Sequence, residues 1–346
     1  MISILDDDFS QLNIYLKEEK PSKLFILVDE NTHEYCLPIL LGNLETNLEF
    51  EIIEIEAGED LKTIETATQL WEILAEFNAD RKALVLNLGG GVVTDMGGFV
   101  ASTYKRGVRF INIPTTLLGM CDASIGGKTG IDHQFLKNVI GTFAEPEMIF
   151  IYTKFLNTLP FTELRSGFAE MLKHGLIADV NHWTQLISIE HLTAESIFPL
   201  IETSMKIKEK VVNEDFTEQN VRKILNFGHT IGHGAESLFL QKGKAIPHGE
   251  AVAIGMICET FLSQKQNLIS VEETEMIIKN IRKFYPYVSI AEFSTEEILS
   301  IVRNDKKNEK GAIHFSLLNS IGSCLYDCKV EEELVGSALH YYQDLG

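Results

Sequence analysis

Short apolar segments alternate with helix-like segments through the first half of the chain, and this alternation limits the folds it can adopt. The apolar or β-branched runs that we interpret as strands cover residues 23–28, 50–55, 83–88, 110–113 and 148–151. The clearest helical pattern between them covers residues 61–77. Strands separated by helical crossovers pair in parallel and are covered by helices. We therefore predict an α/β domain with a mostly parallel sheet.

The character of the sequence changes after about Pro160. From residue 162 to residue 283, apolar residues recur three and four positions apart, which is typical of amphipathic helices. A late pair of runs, 312–318 and 323–328, predicts a small hairpin within the helical part. Because 346 residues suffice for about two domains, we predict domains at 1–158 and 159–346, the second mainly α-helical.

Composition and charge limit the partners. With 45% hydrophobic and 23% charged residues, the chain has the composition of a soluble globular protein. The net charge of −20 argues against nucleic acid or an anionic membrane surface as the main partner. An anionic ligand would therefore need a local cluster of cations.

The same features indicate a cellular compartment. Five cysteines without a C-x-x-C pair predict free thiols in a reducing compartment. The acidic start of the chain lacks the basic residues of a signal peptide, and no apolar run reaches membrane-spanning length. We expect a cytoplasmic protein.

A glycine-rich segment follows the third predicted strand. Gly89, Gly90 and Gly91 stand between that strand and a helical pattern. Glycines at such a turn let backbone amides approach a pyrophosphate, as in Rossmann-like domains. The usual fingerprint also has a glycine where this chain has Thr94. A tight strand-to-helix turn without a ligand explains the segment about equally well.

A second glycine-rich segment contains Gly126, Gly127 and Lys128. It is not a nucleotide-triphosphatase loop, because the glycine required six residues before the lysine is replaced by Asp122. A lysine on a glycine-rich turn still suits an oxyanion or phosphate. Other basic residues lie nearby in the sequence: Lys105, Arg106 and Lys137. In so acidic a chain, this grouping favours an anion site over scattered surface lysines.

Three of the ten histidines cluster between residues 229 and 248. His229 and His233 are four residues apart, hence on one face of a helix, and His248 begins an apolar helical segment. Two imidazoles and a carboxylate such as Glu170 suit an open divalent-metal site. Hydrogen-bonded core histidines are the alternative. Spacing alone does not say which of His229 and His233 would bind the metal.

In combination, these motifs resemble the 3-dehydroquinate synthase family, within the sugar phosphate cyclases. Ordered matches span roughly residues 57–256, with a fainter match at 305–307. The matching segments are 89–95, 103–110, 113–118, 122–130, 137–138, 165–170, 225–233 and 248–256. An ordered series of this length is far more specific than any single motif.

The resemblance implies an enzyme that uses NAD and a divalent metal. Its substrate would be 3-deoxy-D-arabino-heptulosonate 7-phosphate and its products 3-dehydroquinate and phosphate, a step of the shikimate pathway of aromatic amino-acid biosynthesis. Residues 1–158 would bind NAD, and residues 159–346 the metal and substrate. Glu170, His229 and His248 would hold the metal, typically zinc, with cobalt as an alternative. His233 would stay unligated near the phosphate as an acid–base and binding group.

The resemblance also implies further site residues. Substrate contacts would be made by Arg106, Asp122, Lys128, Asn138, Lys173, Lys208, Arg222, Asn226, His233 and Lys306. Of these, Lys128, Lys173, Asn226 and His233 would be catalytic. Cofactor contacts would be made by Asp29, Asn31, Glu59, Lys62, Gly91, Val92, Val93, Thr94, Asp95, Thr115, Thr116, Lys128, Lys137, Phe155 and Thr158. Arg106 would reach the neighbouring subunit's site, which implies a homodimer.

Simpler interpretations stay open for some of these residues. Glu59 and Lys62 would also fit an ion pair at a helix start, and Asp29 and Asn31 would fit a turn after a strand. Besides Thr94, the segment 213–221 departs from the family, since it lacks a glycine common two residues before Arg222.

Three alternative functions are compatible with the residues. The first is a cyclase that makes a valiolone or an inosose from a sugar phosphate without a carboxylate. Lys208 and Arg222, as carboxylate partners, favour the acid substrate instead. The second is a metal- and NAD-dependent polyol dehydrogenase. The third is a catalytically silent relative, which the full set of metal ligands and cations disfavours.

Overall fold

The computed structural model describes residues 1–133, 136–305 and 312–346 of the protein, in two compact units, Met1–Pro160 and Phe161–Gly346. Strands of the first unit are β1 (Ile2–Ile4), β2 (Leu24–Asp29), β3 (Phe50–Ile55), β4 (Leu84–Gly89), β5 (Arg109–Pro114), β6 (Lys128–His133), β7 (Leu136–Phe143) and β8 (Ile149–Ile151). Its α-helices are α1 (Ser10–Glu19), α2 (Glu30–Tyr35), α3 (Leu37–Asn43), α4 (Ile64–Glu76) and α5 (Gly91–Thr103).

A six-stranded parallel sheet organises the first unit, in the order β1-β8-β5-β4-β2-β3. The inner strands β2 and β4 are buried along nearly their whole length, which explains their continuous apolar sequence. From β2 the sheet grows in one direction to β3, and from β4 in the other direction to β5. Ligands of such sheets bind at the carboxyl ends of the strands where the direction reverses, here β2 and β4.

The five strands predicted from apolar runs are all present, and the α/β fold class is confirmed. Strand β1 was not predicted, and two further features differ from the prediction. The helix expected over residues 61–77 begins only at Ile64, because the Thr63 hydroxyl accepts the amide of Thr66 and caps the helix there. The glycine-rich segment at 126–130 is not a simple turn, because β6 starts at Lys128 and pairs antiparallel with β7.

The second unit is mainly helical, as predicted. Its α-helices are α6 (Phe161–Ala178), α7 (Val180–Ser188), α8 (Ala194–Glu214), α9 (His229–Gln241), α10 (His248–Lys265), α11 (Val271–Phe284), α12 (Thr295–Asp305) and α13 (Glu332–Gln343). The predicted hairpin is present, with strands β9 (Ala312–Ser320) and β10 (Ser323–Glu331). Helical structure is interrupted before α9 by a 3₁₀ segment, Val221–Asn226.

Helix α10 is the centre of the second unit. Its residues from Gly249 to Ser263 are all buried, and α6, α9, α11 and α13 pack against it. A helix that is apolar on every face requires such a central position. Helices α6 and α9, which carry Glu170 and His229, therefore both contact α10.

Two predictions made from composition can also be compared with the structure. The five cysteines are free thiols, and Cys36, Cys121 and Cys258 are buried. Within the described ranges, no helix is both long and apolar enough to cross a bilayer.

Candidate functional site

Three histidines meet where α9 and α10 begin. His229 is the first residue of α9, His233 lies one turn later, and His248 is the first residue of α10. The ring centroids of His229 and His233 are 5.0 Å apart, so the predicted shared helix face is confirmed. The His248 ring lies 5.5 Å from that of His229 and 6.1 Å from that of His233.

Glu170 on α6 completes the cluster. Its side chain is 0% exposed, and its Oε1 atom lies 3.3 Å from Nε2 of His229 and 3.3 Å from Nε2 of His248. Ligand atoms bound at about 2.1 Å to a tetrahedral ion stand roughly 3.4 Å apart. The three ligand atoms, all within 4.8 Å of one another, therefore fit a single tetrahedral ion.

The other ring nitrogens of the two histidines have different neighbours. Nδ1 of His229 is 3.2 Å from the Phe227 carbonyl oxygen, and Nδ1 of His248 is 3.7 Å from a carboxylate oxygen of Glu236. An Nδ1–H that donates to an oxygen leaves the Nε2 lone pair for a metal. Both rings thus present Nε2 to Glu170. The sequence analysis missed Glu236, whose carboxylate faces Nδ1 of His248.

The charges of the cluster suit a metal. Burial would raise the pKa of Glu170, but Lys173 and His229 outweigh burial and hold the pKa well below its usual range. Burial, together with Lys173, lowers the pKa of His229 and favours the neutral imidazole that metals require. Burial acts the same way on His248, but the carboxylates of Glu170 and Glu236 prevail and raise its pKa to about 10. Metal binding at His248 would therefore release a proton.

The structure also separates His229 from His233, which spacing could not do. His233 belongs to a different group of neighbouring donor atoms, with Glu236 and His248. The two groups share His248. The Glu170 group fits a metal better, because its carboxylate is buried, ionised and equidistant from two Nε2 atoms.

The second unit also contains three buried cations. Lys173 is paired with Glu170, and Lys208 and Arg222 are also buried. Buried charges require partners. Main-chain amides of the loop that carries Arg222 donate to the Asp215 carboxylate, and the Arg222 guanidinium donates to a carbonyl oxygen in the same loop. The side-chain amide of Asn226 donates a hydrogen bond of 2.8 Å to a carboxylate oxygen of Glu218. Lys306 lies outside the described residues.

In the first unit, the predicted strand–glycine–helix turn is present. Strand β4 ends at Gly89, Gly90 is the N-cap of α5, and Gly91 is its first residue. A Cβ atom on Gly90 would lie 2.8 Å from Cγ2 of Thr116, so the turn has no room for a side chain. The first main-chain amides of α5 have no partner within the helix, and no side chain at Gly90 covers them.

Thr94 does not block this turn. Its side chain is buried, and its hydroxyl donates to the carbonyl oxygens of Gly90 and Gly91 at 3.2 Å and 3.1 Å. Thr94, which replaces the family glycine, therefore makes its side-chain hydrogen bonds within the first turn of α5. Val93 and Phe155, two of the predicted cofactor contacts, are buried at 0% and 1% exposure.

Lys62, just before α4, is a buried lysine with three carboxylate neighbours. It is 2% exposed, and its Nζ atom lies 3.1 Å from Asp95, 3.3 Å from Glu59 and 3.9 Å from Asp132. The ion pair of Glu59 and Lys62 is thus present, as the simpler interpretation predicted. Asp132 was missed, because only the β6–β7 hairpin brings it to Lys62.

One lysine shared by three carboxylates affects their protonation. Burial raises the pKa of Asp95 to about 6, although Lys62 pulls it downward. Burial also raises the pKa of Asp132, which accepts the Asn138 amide. Lys62 itself stays charged, because its carboxylate neighbours outweigh its burial and raise its pKa.

The remaining predicted residues of the first unit have varied surroundings. Asp29 caps α2 by accepting the Thr32 amide at 2.8 Å, so its role in a turn is present. Thr115 is buried and donates its amide to Gly89. Residues with exposed positions are Asn31, Arg106, Lys128, Lys137, Asn138 and Thr158. Residues that are partly exposed are Val92, Thr116 and Asp122.

Two solved structures share this fold over nearly the whole chain. A 2-epi-5-epi-valiolone synthase from Streptomyces hygroscopicus subsp. jinggangensis 5008, with NAD+ and Zn2+ bound, aligns with a TM-score of 0.86 at 25% identity, over 100% of this chain and 97% of its own. A 2-deoxy-scyllo-inosose synthase, complexed with carbaglucose-6-phosphate, NAD+ and Co2+, aligns with a TM-score of 0.86 at 22% identity, over 98% and 96%. The fold is therefore that of the sugar phosphate cyclases.

Sequence comparisons narrow this class. A family model described as 3-dehydroquinate synthase N-terminal matches residues 52–166, and one described as 3-dehydroquinate synthase C-terminal matches residues 167–308. A 3-dehydroquinate synthase from Parabacteroides distasonis is 40% identical over 345 residues, covering 99% of this chain and 98% of that protein. The chain belongs to the 3-dehydroquinate synthase family, which confirms the resemblance seen in its motifs.

Proposed function

We propose that the protein is a carbon–oxygen lyase that converts 3-deoxy-D-arabino-heptulosonate 7-phosphate into 3-dehydroquinate and phosphate. Family membership over nearly the whole chain supports this reaction. The observation that carries the proposal is the equal 3.3 Å distance from Oε1 of Glu170 to Nε2 of His229 and of His248. This arrangement is a ready site for one divalent ion.

Glu170, His229 and His248 would hold that ion, with zinc as the first candidate and cobalt as the second. When bound, such an ion would polarise a substrate hydroxyl and lower the pKa of the alcohol. Two imidazoles and one carboxylate leave a fourth position for the substrate oxygen. Lys173 keeps Glu170 ionised in its buried position, so the ligand set carries its charge before an ion arrives.

The buried cations of the second unit suit a substrate with two anionic groups. Lys208 and Arg222 would bind the carboxylate, which a valiolone- or inosose-forming cyclase has no need to hold. Lys173, Asn226 and His233 would contact the phosphate end and the ring. His233 would exchange a proton there, because its ring stands beside the metal ligands without sharing Glu170. Positioning by several charge-assisted contacts is worth several orders of magnitude in rate.

NAD would bind the first unit at the carboxyl ends of β2, β4 and β5. At the glycine turn before α5, main-chain amides would donate hydrogen bonds to the pyrophosphate. The dipole of α5 would favour the negative charge of that group. Asp95, Glu59 and Lys62 would contact the cofactor from α5 and from the segment before α4. When bound there, NAD would supply a reversible hydride acceptor, so the overall reaction would have no net redox change.

The substrate chemistry depends on a ketone that would exist temporarily on the carbon that loses the hydride. A carbonyl acidifies the adjacent C–H bond, so its proton would pass to the phosphate as the C–O bond of the neighbouring carbon breaks in a β-elimination. Once the temporary ketone is an alcohol again, the enol pyranose ring would open and free a second ketone and an enol. The enol carbon would then add to that ketone in an intramolecular aldol reaction, which closes the carbocycle. The side chains that hold both anionic groups keep the reacting atoms oriented through these steps.

Arg106 would complete the site of a second copy of the chain, so we also propose a homodimer. Its side chain is exposed, and its backbone has a positive φ of 67°. R106A should remain a dimer, as measured by light scattering, and its activity should fall at least tenfold. A monomeric or fully active R106A would contradict this role.

Phosphate release is the direct test of the proposed reaction. Purified protein should release phosphate from the keto-acid sugar phosphate only with NAD, and chelation should abolish the release until zinc or cobalt is restored. Sedoheptulose 7-phosphate should be a poor substrate; a preference for it would favour a valiolone-forming cyclase. Steady absorbance at 340 nm is expected, whereas NADH accumulation would indicate a polyol dehydrogenase.

A further inference from the structure

Helix α9 begins inside the protein without a capping side chain of its own. Its N-cap is Gly228, whose φ is +81°, and no side-chain hydrogen bond from the N-cap is present. The first amides of a helix have no intrahelical partner. Gly228 and Ile231 are buried here, so water does not replace that partner. A buried amide without a hydrogen-bond partner destabilises the folded protein.

Glu259, on α10, supplies the missing cap. It is 0% exposed, and its Oε2 accepts the Gly228 amide at 2.6 Å while its Oε1 accepts the Ile231 amide at 3.2 Å. A carboxylate at a helix N-terminus also interacts favourably with the helix dipole. The cap thus comes from a different helix, 31 and 28 residues away in sequence.

Close backbone contact makes this reach feasible. A Cβ atom on Gly255 would lie 1.8 Å from the Gly228 carbonyl oxygen, and one on Gly232 would lie 2.8 Å from the Ala251 carbonyl oxygen. The glycines therefore allow the backbones of α9 and α10 to touch. At this distance a glutamate, one turn beyond Gly255 on α10, reaches the first turn of α9.

We propose that Glu259 is a positioning residue for the candidate metal centre. His229 follows Gly228 directly, so it lies between the two amides that Glu259 holds. His248 begins the same helix that carries Glu259. By tying the start of α9 to α10, the Glu259 carboxylate fixes Nε2 of His229 relative to Nε2 of His248. This inference rests on the proposed function, because it assumes that these two histidines bind the ion.

The test is Co2+ affinity of the purified full-length protein, measured by competition with a chromophoric chelator. E259Q keeps the shape of the side chain but turns one acceptor into an NH2 group that faces an amide N–H. We expect Co2+ to bind at least tenfold more weakly, within the range of about 10–100-fold seen for residues that orient metal ligands. The visible absorption of bound Co2+ should also change.

T260V is the matched control. Thr260 is equally buried and adjacent on α10, but its hydroxyl donates 2.6 Å to Met256 within its own helix. Its Co2+ affinity should stay within twofold of the wild type even if its melting temperature falls. Wild-type affinity and spectrum in E259Q would overturn the proposal.

H229A distinguishes this proposal from the proposed function. If H229A loses Co2+ binding and E259Q does not, the metal centre stands and the role of Glu259 falls. If the wild type itself fails to bind Co2+, both fall. Should E259Q not fold, amide hydrogen exchange of the wild type decides: slow exchange at Gly228 and Ile231 supports the cap, and the fast exchange of an open helix start overturns it.

Discussion

Lys62 and Glu170 show how single charges are placed inside this protein. Lys62 serves three carboxylates, and Glu170 is held between one lysine and two histidines. A buried charge is stable only when partners replace its hydration. The outcomes differ: burial raises the pKa of Asp95 although Lys62 lowers it, whereas Lys173 and His229 outweigh burial and keep Glu170 ionised.

Glu170→Gln tests the ligand assignment. The amide cannot supply the negative charge, and it removes the ion pair between residue 170 and the buried Lys173. We expect metal affinity to fall at least 100-fold and phosphate release by a similar factor, measured by chelator competition and a phosphate assay. E163Q is the control, since Glu163 is exposed on the same helix. Unchanged metal content and turnover in E170Q would show that the assignment is wrong.

Asp95 makes stability depend on pH. Burial raises its pKa to about 6, whereas an aspartate in the unfolded chain titrates near about 3.9. Between these values the folded protein binds more protons than the unfolded chain. The contribution of Asp95 is therefore present near pH 4 and is lost as the pH rises through about 6, by roughly 1–3 kcal/mol.

Asp95→Asn removes this contribution. The free energy of unfolding of the wild type, minus that of D95N, should decrease from pH 4 to pH 7 in urea titrations. D60N, which changes an exposed aspartate in the preceding 3₁₀ turn, should keep the wild-type pH dependence. A difference between wild type and D95N that is constant with pH would contradict the interpretation.

At the scale of elements, local sequence signals identified most of the fold. Apolar or β-branched runs identified five of the six strands of the parallel sheet, and apolar residues that recur three and four positions apart identified the helices of the second unit. The β6–β7 hairpin was missed because glycines and basic residues resemble a loop. Its strands pair only with each other in a separate two-stranded sheet, so their sequence lacks the apolar run of a core strand.

The contact between α9 and α10 is the element-level feature that the site depends on. Gly255→Ala would place a methyl group against the Gly228 carbonyl oxygen, where the distance is 1.8 Å. We expect a loss of about 2–4 kcal/mol in the free energy of unfolding, because the helices must separate, and weaker metal binding. Urea denaturation and chelator competition measure these two effects.

Gly42→Ala is the matched control on α3. A Cβ atom there would meet no atom within 4 Å, so the substitution should be neutral or stabilising by up to about 1 kcal/mol. If G255A were as stable as G42A, the close approach of α9 and α10 would not exist in solution.

At the scale of the whole molecule, the ligands of the candidate ion come from three helices of the second unit, α6, α9 and α10. An ion that binds only the folded arrangement stabilises it by mass action, by about 2.7 kcal/mol at one hundred times the dissociation constant. Chelation should therefore lower the melting temperature by several degrees, and E170Q should melt at the same temperature with and without metal. Differential scanning calorimetry measures both.

The sequence by itself determined the alternation of strands and helices, the glycine turn before α5 and the spacing of His229 and His233, because these depend on neighbours within about one helical turn or one strand. Family motifs then selected His229 over His233. Only the tertiary structure placed Asp132 beside Lys62, Glu236 beside His248 and Glu259 at the start of α9. Those contacts join residues from different elements, and the packing of whole helices and hairpins, not a local pattern, sets the distances between them.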